Sequence, residues 1–311
     1  MQKLAIIGYG DHVKKNILPA ISRVSDITIE AIYVRDPMKY IKHGKNDGHP
    51  IKSIEDKVSA DVDWVYIATP IATHFKFSEI YLTEGKNVIC EKPLTDNAGK
   101  TLALLSLAKK NKVQLYEVCM YQNHKQFLHL KRSILDNFAS LKCVHSVFTV
   151  PHFEENNIRY NKNLSGGALL DVGYYPISLI VSLFGEPKDI QSINYSNAGF
   201  NVDLFGSAMF IYDHFYCIAE WGIGLPYANN TIIVTENQTI TYNRCFSKTK
   251  KIITEASIFN TIENNNKTIT IGQDDQFANM FTNIVVNNKV DLAASIDTIN
   301  TIKSITSIKD L

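Results

Sequence analysis

Asn87-Val88-Ile89-Cys90-Glu91-Lys92-Pro93 decides how this chain reads. The run 87–90 has the length and apolar character of a buried strand, and it delivers an acid, an amine and a proline at its carboxyl end. In open parallel α/β sheets, ligands bind in the crevice beyond the carboxyl ends of the strands. A lysine held there can hydrogen-bond or protonate a substrate oxygen. Glu91, next in sequence, can hold Lys92 cationic. Pro93 restricts the backbone of Lys92 and permits a cis bond in a tight turn.

Toward the N-terminus, Leu4-Ala5-Ile6-Ile7 is another buried-strand signal, followed by Gly8-Tyr9-Gly10 and a helical pattern through Ile17, Leu18 and Ile21. Strand, glycine turn and helix form the context of a dinucleotide fingerprint. Gly8 allows the tight turn, and Gly10 lets a pyrophosphate approach the backbone at a helix N-terminus. Val13 stands where the third glycine of the fingerprint would be, so the motif is partial. Residues 28–34 read as the second strand. It ends in Val34 and Arg35, where an NAD site carries an acid for the ribose hydroxyls. An arginine there can stack on adenine and pair with a 2′-phosphate, which favours NADP over NAD; Lys39 is a weaker second candidate.

A polar stretch follows, up to Ser59. Residues 63–68 form a strand ending in Thr69-Pro70, residues 73–82 a helix stopped by Gly85, and a further helix runs through Leu102, Leu105 and Ala108, which Asp96 is placed to cap. Residues 114–119 give one more strand. This alternation predicts an α/β Rossmann domain, a doubly wound parallel sheet, over 1–121. Beyond it the pattern changes. A helix over 127–135 leads to a strand over 143–150, then to a polar segment, 151–164, and to Gly166-Gly167-Ala168-Leu169-Leu170-Asp171-Val172-Gly173-Tyr174-Tyr175-Pro176 opening an apolar helix. Alternating runs at 190–195, 202–212, 215–221, 231–234 and 239–242 predict consecutive antiparallel strands, and helical patterns at 276–286 and 293–308 close the chain. Residues 122–311 are therefore expected to form an α+β domain with a large, mostly antiparallel open sheet.

The bulk composition excludes several classes. The chain has 311 residues, 45% hydrophobic and 20% charged, with a formal net charge of +1, which leaves no electrostatic footprint for nucleic acid or an anionic membrane. Five cysteines without metal-ligand spacing read as reduced, mostly buried thiols, and no clustered set of His, Cys, Asp and Glu suggests a metal. The first apolar run is too short for a signal peptide core, and the best apolar stretch, 177–184, is interrupted by serine; both point to a cytoplasmic protein with no membrane span. Asparagine runs at 156–157, 229–230 and 264–266 are expected in loops.

Asp171 and Tyr175 are four apart and would share a helix face. A tyrosine hydroxyl holds its proton at neutral pH and can donate it, and a neighbouring lysine ammonium would ease its release. Lys92 and Tyr175 together would serve a carbonyl that receives hydride from a nicotinamide. A purely structural role, with Tyr175 a buried aromatic and Asp171 a cap, is the competing reading.

On Gly8-Tyr9-Gly10, Ala68-Thr69-Pro70 with His74, Glu91-Lys92-Pro93 and residues 166–176, the chain resembles the Gfo/Idh/MocA oxidoreductases nearly end to end. The resemblance implies a cis Lys92–Pro93 bond, Lys92 and Tyr175 as catalytic residues, and a cofactor site of Gly8, Gly10, Arg35, Thr69, Pro70, His74, Glu91 and Lys92. It implies substrate contacts from Lys92, Asp171 and Tyr175, joined by Arg159 and His152 from the preceding loop, and a homodimer or homotetramer. Tyrosine at 175, where the inositol dehydrogenase branch has histidine, resembles the nucleotide-diphospho-sugar 3-ketoreductases. Gln122-Asn123-His124 departs from the Arg-Phe-His of many relatives. The expected activity is NADPH-dependent reduction of a keto group on a nucleotide-linked sugar, within deoxysugar or surface-glycan synthesis. The alternatives are an NADP-dependent dehydrogenase of a free sugar or cyclic diol, and a non-catalytic NADP-binding sensor.

Overall fold

A computed structural model describes residues 1–41, 48–196, 199–287 and 293–306. The chain divides into two compact units, Met1–Val118 with Phe277–Leu292, and Cys119–Gln276 with Ala293–Leu311. The linear reading has 122–311 in one domain; Phe277 and Phe281 instead pack within the first unit, edge-on against His12 and tilted against Tyr66.

The first unit holds six parallel strands: β1 Gln2–Ile7, β2 Ile27–Val34, β3 Ile51–Ser53, β4 Trp64–Ile67, β5 Asn87–Cys90 and β6 Leu115–Glu117. Their order, β3-β2-β1-β4-β5-β6, reverses direction between β1 and β4, the switch point at which such sheets bind ligands. Leu4 to Ile7, Val65 to Ile67 and Val88 to Cys90 are fully buried, as strands covered on both faces must be. β3 lies inside the stretch read only as polar. The helix Ala98–Asn111 is capped by Asn97, whose side chain accepts from Gly99 N and Lys100 N, and not by Asp96, which pairs with Lys100 Nζ at 2.8 Å.

The second unit holds eight strands: β7 Leu141–Val150, β8 Asp189–Ser196, β9 Asp203–Ile211, β10 Tyr216–Ile223, β11 Ala228–Thr235, β12 Gln238–Asn243, β13 Thr254–Asn260 and β14 Asn265–Gly272. The order is β14-β13-β12-β11-β7-β10-β9-β8, antiparallel except for the pair β7 and β10. One face is buried: Val144, Phe148, Ala208, Phe210, Ala219, Trp221, Ile233 and Tyr242 pack in one core with Ile177 and Ile180 of the helix Tyr174–Phe184. Two of the asparagine runs lie in strands, not loops. Asn229, in β11, is buried, donates to Tyr227 Oη and Ser247 O, and accepts from Phe246 N; Asn265 and Asn266 begin β14.

Three stretches among the described residues are π-helical, Val13–Ile17, Leu169–Gly173 and Thr282–Val286, and each of the first two runs into an α-helix with a proline in its first turn, Pro19 and Pro176. A helical proline has no N–H and its ring collides with the carbonyl four residues back. Those carbonyls belong to Lys15 and Val172, inside the wider turns, which absorb the collision. Val13, in place of the third glycine, opens the first of these turns and is 1% exposed. One helical run, Lys162–Phe184, has the length and mean hydropathy (1.5) of a membrane span, which the stretch 177–184 alone did not suggest; 67% of its apolar window is buried, as in the core helix of a globular unit. All five cysteines are buried and free. The end of the last helical pattern, at Ile308, lies outside the described residues.

Candidate active site

In the first unit the site residues stand at the carboxyl ends of β1, β2, β4 and β5. Gly8 has φ +102°, and a Cβ there would lie 2.5 Å from Ala68 O. It needs glycine because the turns after β1 and β4 touch. Gly10 needs it for a different reason: a Cβ would meet nothing within 4 Å, so its backbone faces open space. Arg35 follows β2 directly and is exposed. Tyr9 packs on Tyr40 with centroids 5.0 Å apart, and Lys14 Nζ lies 4.5 Å from the Tyr9 ring centre. An open glycine turn, a helix entry and an exposed arginine beyond the neighbouring strand fit the pyrophosphate and adenosine end of a dinucleotide.

The Lys92–Pro93 peptide is cis. Glu91 does not serve Lys92 alone: its carboxylate accepts from His12 Nε2 at 2.9 Å and from the Tyr66 hydroxyl. Burial pushes the Glu91 carboxyl up, but the His12 charge, the two hydrogen bonds and, last, Lys92 outweigh it and hold it below the ordinary glutamate range. Glu117, on the neighbouring strand β6, is buried and accepts from Leu94 N at 2.5 Å, fixing the turn just past Pro93. His74 is buried with both ring nitrogens 2.8 Å from backbone carbonyls, those of Pro93 and Thr69. The resemblance implied a cofactor contact; the ring instead braces the two turns from behind.

In the second unit the π-turn and the helix Tyr174–Phe184 separate two adjacent tyrosines. Tyr174 is 1% exposed, with its hydroxyl 3.5 Å from Cys119 Sγ. Tyr175 is partly exposed. Its ring packs edge-on against Phe148 at 5.1 Å and tilted against Phe246 at 5.6 Å, and its hydroxyl points to Met120 Sδ at 3.8 Å. Asp171, in the π-turn four residues before Tyr175, accepts from Arg159 Nε, and the Arg159 guanidinium lies 4.4 Å from the centre of the Phe153 ring. His152 stands apart from that pair. It bonds Tyr160 Oη at 3.0 Å, packs on Phe200, and its ring occupies the space where a side chain on Gly224 would go.

Sequence reasoning missed His12, Tyr66, Glu117 and Asp203. Asp203 accepts from Leu169 N at 2.6 Å and crowds Gly167, so it fixes the entry to the π-turn. A glutamate inside the strand signal 114–119 was a usable sign; Tyr66 and Asp203 carried none.

Comparison with known proteins agrees with this layout. Residues 2–118 match the GFO_IDH_MocA model, an oxidoreductase family with an NAD-binding Rossmann fold, and residues 137–241 match the GFO/IDH/MocA C-terminal domain. The chain belongs to the Gfo/Idh/MocA family of oxidoreductases. It is 30% identical over 240 residues to the scyllo-inositol 2-dehydrogenase (NADP(+)) IolU of Bacillus subtilis, covering 70% of this chain and 69% of that protein. It is 31% identical over 212 residues to the dTDP-3,4-didehydro-2,6-dideoxy-α-D-glucose 3-reductase of Streptomyces violaceoruber, covering 67% of this chain and 62% of that protein's length. In fold it is similar to KijD10, a 3-ketoreductase from Actinomadura kijaniata solved with NADP and TDP-benzene, with a TM-score of 0.89 at 22% identity over 98% of this chain and 97% of that one.

Proposed function

We propose that this oxidoreductase uses NADPH to reduce a keto group on a nucleotide-linked sugar. The setting of Tyr175 carries the reading: a phenol held by aromatic rings, partly exposed, with a thioether beside its proton. The turn at Gly8 and Gly10, with Arg35 and the Thr69-Pro70 turn, would hold the cofactor, and an arginine in place of the ribose-binding acid favours the phosphorylated form. Bound NADPH would supply the hydride. Lys92 binds and orients the keto oxygen and offsets the charge that develops on it, and Tyr175 gives that oxygen its proton. Support comes also from relatives named as an NADP(+)-dependent dehydrogenase and as deoxysugar 3-reductases.

A second reading, oxidation of a free sugar or cyclic polyol, is favoured by the likeness to the scyllo-inositol dehydrogenase. Tyr175 must then take up a proton, which requires a phenolate; each unit of pKa below about 10 costs roughly 1.4 kcal/mol of differential interaction. Calorimetry separates the two. NADPH binding tighter than NADH binding, with TDP, UDP or GDP binding to the NADPH complex, is the expected result. Cofactor binding with no nucleoside diphosphate binding contradicts the nucleotide-sugar reading. The enzyme is also proposed to act as a homodimer or homotetramer, which sedimentation tests.

A further inference from the structure

His74 is 1% exposed, and its two ring nitrogens each face a backbone carbonyl oxygen at 2.8 Å, Nδ1 that of Pro93 and Nε2 that of Thr69. A carbonyl oxygen can only accept. Neutral imidazole has one N–H, so one of these contacts would set a nitrogen lone pair against oxygen lone pairs at hydrogen-bond distance. Only the imidazolium donates to both. The influences on the ring oppose one another. Burial is the largest and draws His74 below the ordinary histidine range, and Lys92 acts the same way; the two carbonyls and the Glu91 carboxylate act against them. Their net effect keeps His74 below the ordinary histidine range, which taken without the geometry would favour a neutral ring. The geometry does not fit a neutral ring, because two equally short contacts to acceptors need two donors, and charge-assisted hydrogen bonds are about twice as strong as neutral ones.

We propose that His74 is a positioning residue held as an imidazolium, clamping the turn after β4 to the turn after β5 and so keeping Lys92 in register with the Thr69-Pro70 turn. The role of Lys92 in this proposal rests on the function proposed above; the clamp itself does not. Burial leaves the ring no contact with substrate, so it acts through Pro93 and Thr69. This also gives a physical reason for a histidine, and not another helix former, at the first position of the helix His74–Thr83.

Side-chain proton–nitrogen NMR on the 15N-labelled full chain reads the ring directly, with His74→Gln supplying the assignment. Both ring nitrogens of His74 are expected to be protonated at neutral pH, with and without NADPH, and their protons to exchange slowly. One protonated and one bare nitrogen would overturn the proposal. Glutamine reaches one carbonyl with a donor and not both, so His74→Gln is expected to weaken NADPH binding about 10-fold and to lower kcat about 10- to 100-fold with the sugar KM little changed. A variant with wild-type kcat and NADPH affinity would overturn the positioning role. If His74→Gln does not fold, the wild-type spectrum decides, since a buried ring with two slowly exchanging protons is distinguishable among nine histidines. If the wild type reduces no keto-sugar, the spectrum and the NADPH affinity still test the clamp, and only the assigned reaction fails.

Discussion

Arg159 donates through Nε to the Asp171 carboxylate, joining the polar loop before the glycine-rich stretch to the π-turn after it. Each residue holds the other's geometry. The pair is partly exposed, with 35% and 18% side-chain accessibility, so solvent screening keeps its contribution modest. A double-mutant cycle of Arg159→Ala and Asp171→Asn in denaturant unfolding is expected to show a coupling of about 1 kcal/mol. Strict additivity would show that the pair does not stabilise the unit.

Glu91 gives a pH signature. Its folded carboxyl is held below the ordinary glutamate range by His12 and Tyr66 against the push of burial. A lowered folded pKa means that the stabilisation is fully present above the unfolded value, about 4.3, and is lost as pH falls through the lower folded value. Wild type should therefore exceed Glu91→Gln in unfolding free energy at about pH 5, and the margin should shrink below about pH 4. A margin that grows toward acid pH would reverse the assignment.

The two glycines of the first turn should fail differently. Gly8→Ala puts a methyl against Ala68 O in a left-handed backbone, and a loss of about 2–4 kcal/mol in stability is expected. Gly10→Ala meets no protein atom within 4 Å and should leave Tm nearly unchanged, while NADPH binding is expected to weaken by about 10-fold or more, since the proposed function places the cofactor in that space. Thermal unfolding and a fluorescence titration of NADPH read the two effects separately.

Lys86 is a structural counterpart. Its amine is buried and donates to Ser59 O, Ala60 O and Val62 O at 3.0, 2.7 and 2.7 Å. Lys86→Met keeps the stem and strands three carbonyls, so a loss of about 2–4 kcal/mol is expected in chemical unfolding, without a change in kcat per folded molecule.

The parts legible in the sequence were those where one physical signal dominates. β1, β4 and β5 are covered on both faces and read as unbroken apolar runs. Lys92 and Tyr175 were singled out by the family resemblance of their motifs, since each alone read as readily as a structural residue. β13 and β14 were missed because they end the sheet: β14 carries mostly exposed side chains and β13 buries only Thr254 and Ala256, so their polarity resembled a loop. Asn229 was misread for a related reason: burial is tolerated only because every polar atom of its side chain finds a partner, which composition cannot reveal. The π-turns were illegible because proline position hints at strain but not at its resolution. The Glu91 network depends on Tyr66, a strand residue that reads from sequence as core.

The central claim is that Lys92 and Tyr175 act on one keto oxygen. Single-turnover oxidation of NADPH by the wild type, Lys92→Ala and Tyr175→Phe on a TDP-linked keto-sugar tests it most directly. The account predicts that each variant folds, binds NADPH within about 3-fold of wild type, and loses about 10²- to 10⁴-fold in the hydride-transfer rate. Normal folding with undiminished turnover in either variant would contradict it.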